Sequence, residues 1–173
     1  MSAGRTRCRW QISRNCIELG FSEVQTYINS GNVLFSSTSK SKGRLTKSIE
    51  TAIEKRFGFP VPVCIISAPE LIASMANAPS WWGTDTEARH DAFFVLPSMT
   101  PRMILEQIGE INPQYEKIAY SGQVMFWSAN LKMFSRTQVQ RLIGTKAYAN
   151  ITVRNANTAR KLLALVQAGE QEG

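Results

Sequence analysis

The chain has 173 residues, 43% of them hydrophobic and 19% charged, a globular composition that excludes a disordered polypeptide. No apolar run approaches the roughly 18 to 20 residues a membrane span needs, and the basic opening MSAGRTRCRW leads into no apolar stretch of a secretory signal. The net charge of +7 is front-loaded: Arg5, Arg7, Arg9 and Arg14 precede the first acid, leaving 16 basic against 13 acidic groups in the remainder, a diffuse excess that argues against a nucleic-acid surface.

In chain order, Ile12, Cys16 and Leu19 recur at helical spacing and predict a short amphipathic helix ending at Gly20. Val24 to Ile28 and Val33 to Phe35 flank the cluster Asn29-Ser30-Gly31-Asn32 and read as a β-hairpin. After the polar loop SSTSKSKG, Leu45, Ile49, Ile53 and Phe57 form one stripe of a helix over residues 44–57 that stops at Gly58. Val61 to Ile66 reads as a buried strand whose entry is restricted by Pro60 and Pro62. Ser67 and Glu70 form a capping-box pattern opening a helix through Asn77. A joint over residues 78–90 carries Trp81, Trp82 and an acidic stretch.

The order then recurs. Asp91 to Leu96 is a strand, Thr100-Pro101 opens a helix carrying Ile104, Ile108 and Ile111, and two strands flank Ser121-Gly122. Ser135 to Gly144 is expected as a helix, Ile151 to Arg154 as a strand, and Thr158 to Gln167 as a final helix. Shifted by about 90 residues, VQTYINSGNVLF lies on KIAYSGQVMFW, and the stripe of Leu45, Ile49 and Ile53 lies on Val139, Leu142 and Ile143. A near-constant offset through successive elements indicates a duplicated unit. The expected fold is α+β: two ferredoxin-like β-α-β-β-α-β repeats with extra helices, the first lacking its opening strand. The expected domains are residues 1–77, a connecting loop over 78–90, and residues 91–173.

GFSEVQTYINSGNVLFSS (residues 20–37), RFGFPVPV (56–63) and TVRNANTARKL (152–162) resemble the signature of a bacterial family of unknown function, DUF1697. The resemblance spans residues 14–168 and implies a cytosolic bacterial protein built of two ferredoxin-like repeats. It brings no activity, cofactor or catalytic residue with it. Family members open with an apolar strand and an Arg-Gly-Ile-Asn-Val-Gly-Gly turn, which residues 1–13 do not match; a frameshifted, mis-annotated or degenerate start is expected. Many relatives also carry a Trp where this chain has Ala156.

Candidate chemistry is sparse. His90 is the single histidine, and Cys8, Cys16 and Cys64 have no metal spacing, so neither a metal centre nor a catalytic triad is expected; an odd cysteine count fits reduced cytoplasmic thiols. Two polar motifs remain as ligand-binding candidates. Tyr27, Asn29, Ser30 and Asn32 present amides and hydroxyls at a turn that their own geometry equally requires. Arg154, Asn155, Asn157 and Thr158 join a strand to a helix N-terminus, where free N–H groups favour an anion, although an Asn157 cap accounts for the same residues. Phe93, Phe94, Phe126 and Trp127 fall where an RNA-binding sheet stacks bases, yet a covering helix at Thr158 makes them core. The expected function is a non-enzymatic binding or interaction module for a small anionic ligand or protein partner, without cofactor or membrane association and with homo-oligomerisation open. The alternatives are a metal-independent enzyme using a cleft between the repeats and a weak nucleic-acid binder.

Overall fold

A computed structural model describes residues 15–27 and 31–171. The opening segment and its apolar Ile12, together with Asn29 and Ser30, lie outside the described residues. The chain divides into two compact units, Met1–Ile65 and Ile66–Gly173, each taken on its own below.

In the first unit, a helical turn over residues 15–18 ends at Gly20, whose φ of 80° needs a residue without a Cβ. The hairpin follows as β1 (Ser22–Tyr27) and β2 (Asn32–Ser36), antiparallel with Tyr27 opposite Asn32 and a register shift between Ser22 and Gln25. Phe21 stacks on Phe35 with ring centroids 4.4 Å apart. Helix α1 (Lys42–Phe57) starts at Ser41, whose hydroxyl accepts the Arg44 N–H, and stops at Gly58 in the left-handed region. Leu45, Ile49 and Ile53 are its buried stripe, as the i, i+4, i+8 spacing requires.

The strand expected over Val61 to Ile66 does not form. Pro60 and Pro62 carry no N–H, and the Val63 N–H donates to the Glu50 carboxylate at 2.8 Å instead of to a neighbouring strand. An apolar extended segment is a strand only when a ladder accepts it, and no described strand pairs with this one.

The second unit opens with α2 (Ala68–Ala76), where the Glu70 carboxylate accepts from the Ser67 N–H at 3.0 Å and from its hydroxyl at 2.7 Å. The sequence places this helix with the first repeat; its packing is against the strands Glu116–Ser121 and Val124–Asn130 and the last helix of the second unit. Strand β3 (Ala88–Val95), helix α3 (Pro101–Ile108), strands β4 (Glu116–Ser121) and β5 (Val124–Asn130), the short helix α4 (Lys146–Ala149), strand β6 (Ile151–Asn155) and helix α5 (Ala156–Gln171) complete it. The sheet is fully antiparallel in the order β4-β5-β3-β6.

Two-residue alternation sorts this sheet into two buried faces. Phe93, Val95, Met125, Trp127 and Ala129 meet Ile104 and Ile108 of α3 and Val139, Leu142 and Ala147. Ala92, Phe94, Val124 and Phe126 occupy the opposite face, toward Trp82, α2 and α5. The four aromatics are therefore core on both faces and no base-stacking surface is open on them. The region expected as one helix over residues 135–144 is instead two 3-10 turns, Leu131–Arg136 and Val139–Leu142. Thr137 breaks it: its backbone is extended and its hydroxyl donates to the Phe134 carbonyl. Val139 and Leu142 still reach the core, while Ile143 is 57% exposed.

Candidate functional site

The hairpin motif is held by itself. Gly31 takes a φ of 76°, and the Asn32 amide, buried, donates to the Tyr27 carbonyl at 3.2 Å across the turn. Asn32 thus closes the loop it was expected to present to a ligand; Asn29 and Ser30 lie outside the described residues.

The strand-to-helix motif is similarly committed. The Asn155 side chain accepts the Thr158 N–H at 2.8 Å, so Asn155 and not Asn157 caps α5. Arg154 donates to the Thr152 hydroxyl at 2.7 Å and to the Val153 carbonyl at 2.8 Å. Thr158 is buried, and Asn155 and Asn157 are exposed. The eight candidates fall in two groups, one in each unit: Tyr27 and Asn32 meet in one turn, and Arg154, Asn155 and Thr158 meet at one helix start.

His90 shares a hydrogen bond of 2.8 Å with the Asp85 carbonyl through Nε2. Its neighbour Asp91 is 2% exposed. One carboxylate oxygen accepts from Arg89 Nε at 2.7 Å and the other has no partner. Burial pushes this carboxyl above the ordinary carboxylate range, against the lowering influence of Arg89 and His90. Arg89 also stacks over Phe134 at 5.1 Å. Trp82 is buried: its indole N–H donates to the Asp91 carbonyl at 2.9 Å, its ring meets Phe126 edge-on, and Arg160 lies over it at 5.4 Å. Arg160 also donates to the Trp82 and Gly83 carbonyls, and any side chain at Gly83 would collide with that guanidinium.

Glu116 is 1% exposed. It accepts from the Trp127 indole at 2.8 Å, the Gln138 N–H at 2.8 Å and the Val139 N–H at 3.1 Å. A buried carboxylate with three donors serves as architecture, tying β4 and β5 to the second 3-10 turn.

A feature missed by the sequence reading lies on the exposed side of α1. A groove of about 950 Å³ runs along it, and Arg44, Lys47, Lys55 and Arg56 line it together with Ser48 and Thr51. Asn15, Glu18 and Leu19 form the other wall. Helical spacing gathers 44, 48, 51 and 55 on one side, away from Leu45, Ile49 and Ile53. Among the described residues, these four cationic side chains make no hydrogen bond or ion pair. The stripe was legible as Arg44, Lys47, Lys55 and Arg56 on a predicted helix, but the near-balanced charge of the chain past residue 14 obscured it.

The fold and these sites define an α+β protein with two antiparallel sheets and no described helix long and apolar enough to cross a membrane. The chain belongs to the family described as protein of unknown function DUF1697, whose sequence profile matches residues 9–126. A solved structure, that of a conserved bacterial protein from Streptococcus pneumoniae, superposes with a TM-score of 0.80 at 26% identity, covering 91% of this chain and 87% of its own. No curated protein matches the sequence.

Proposed function

We propose that the protein is a non-enzymatic binding module for a small anionic ligand, and that the ligand sits in the groove along α1. One observation carries this reading: four cations without a bonded partner face one carboxylate, Glu18, across a recess of about 950 Å³. That volume lies within the roughly 300 to 1,000 Å³ of small-molecule sites. Like charges gathered along one helix repel one another unless an anion joins them. The two polar motifs are weaker bases for anion binding, because Asn32, Asn155 and Arg154 already bond within their own loops.

The same reading takes the units as ferredoxin-like repeats of a cytosolic bacterial protein. The order β4-β5-β3-β6 follows that plan, with β3 between the other two halves of the sheet. The sequence offset of about 90 residues extends the plan to the first unit. Cys16 is a free, buried thiol, which fits a reducing compartment.

The test is a thermal-shift screen of phosphorylated sugars, nucleotides and dicarboxylates beside neutral analogues, at low and at physiological salt. Anions alone are expected to raise Tm, with the shift shrinking as salt screens the groove. Equal shifts from the neutral analogues, or none from any anion, would remove the basis of the reading.

A further inference from the structure

Building on that anion-binding reading, we infer that the α1 groove takes a ligand with two separated anionic groups, of the bisphosphorylated small-molecule class, in preference to a single phosphate. The cations form two pairs. Arg44 and Lys47 occupy the first turns of α1, and Lys55 and Arg56 its last turn. Lys47 and Lys55 are about 12 Å apart along the axis at the rise of an α-helix. A lone phosphate seated at one pair leaves the other uncompensated, whereas a ligand with an anion at each end satisfies both.

The stretch between the pairs has matching chemistry. Ser48, Thr51 and Ala52 line the middle of the groove, offering two hydroxyls and no charge, as a hydroxylated linker between two phosphates requires. The helix's own acids lie elsewhere: Glu50 accepts the Val63 N–H at 2.8 Å and Glu54 is absent from the lining. Local electrostatics single out the first pair. The first turn of α1 contains no acid, and Arg44 stands at the positive end of the helix dipole. A cation there is locally unfavourable, and an anion bound between Arg44 and Lys47 reverses the sign of that interaction. The second pair already suits its end of the dipole, so the first pair is the stronger sign of a ligand.

The experiment is calorimetric titration of the full chain at low salt with a hexose bisphosphate, the matching monophosphate and inorganic phosphate. Two double variants accompany it, Arg44→Ala with Lys47→Ala, and Lys55→Ala with Arg56→Ala. All four positions are exposed, so Tm of each variant without ligand is expected to stay near that of the parent. The bisphosphate should bind at least about tenfold more tightly than the monophosphate, a gap of about 1.4 kcal/mol, and either double variant should erase that advantage. If monophosphate and bisphosphate bind alike, or only one pair matters, the two-anion inference falls while anion binding stands. If no anion binds, both fall. If a single-stranded oligonucleotide binds more tightly than the bisphosphate and loses affinity in both variants, the groove is a nucleic-acid surface and the small-ligand assignment is overturned.

Discussion

In their described residues the two units differ in how far their sheets are completed. In the second, β3 bonds β5 on one side and β6 on the other, and helices cover both faces of the sheet. In the first, the described sheet is the hairpin β1-β2, and residues 61–65 join no described ladder. A central strand organises a sheet because it satisfies the backbone of two neighbours at once. Apolar sequence alone did not make residues 61–66 a strand, whereas Ile151–Asn155 became one beside β3. Stability should therefore be concentrated in the second unit, with the first free to carry an exposed, charged groove.

The largest effect that tests this contrast is core truncation. Phe93→Ala should cost about 3 to 5 kcal/mol in urea denaturation, as enclosed aromatics do. Ile49→Ala in α1 should fall near the lower end for its type, about 2 kcal/mol; an equal or larger cost would break the contrast. Next comes Glu116→Gln, which keeps the shape but turns an amide toward one of three donors. It should cost about 1 to 3 kcal/mol, measured in the same way. Loss of less than a few tenths would show that the three hydrogen bonds do not fix the 3-10 turn.

Hydrogen exchange sharpens the comparison residue by residue. Amides of Ala92 to Phe94 in the sheet should exchange only with global unfolding, while those of Ile65 and Ile66 exchange orders of magnitude faster. Comparable protection at both places would mean that the apolar segment has a ladder after all. The smallest effect is a pH dependence. Asp91 has its carboxyl raised by burial, so the folded state binds the proton more tightly than the unfolded one. The resulting contribution to stability is fully present below the unfolded carboxylate range and is lost as pH rises through the folded value. Asp91→Asn should remove that decline, leaving the variant gaining on the parent between acid and neutral pH. A difference that does not change with pH would show that Arg89 fully offsets the burial.

Much of this architecture was readable from local signals. The stop at Gly58, the Leu45, Ile49 and Ile53 stripe and the Ser67-Glu70 cap each follow from a few neighbouring side chains, and each formed as expected. The failures involve distant partners. Residues 135–144 have helical spacing, but Glu116, about 22 residues earlier, takes the N–H groups of Gln138 and Val139. Asn155 displaced Asn157 as the cap because β6 extends to Asn155 and leaves its side chain at the first free N–H groups. The groove was hidden because cations spread over 13 residues look diffuse until the fold shows that their side chains line one recess.

The sequence by itself determined the hairpin, the buried stripe of α1, the Ser67-Glu70 cap and the apolar runs of β3 and β5, because these depend on periodicity and on contacts within one element. Tertiary structure alone decided that Trp82 covers the second sheet, that Asp91 and Glu116 are enclosed, and that residues 61–66 go without a described ladder. Backbone hydrogen bonds and the burial of charge are settled between segments far apart in the chain, and no local pattern specifies which partner a group will meet.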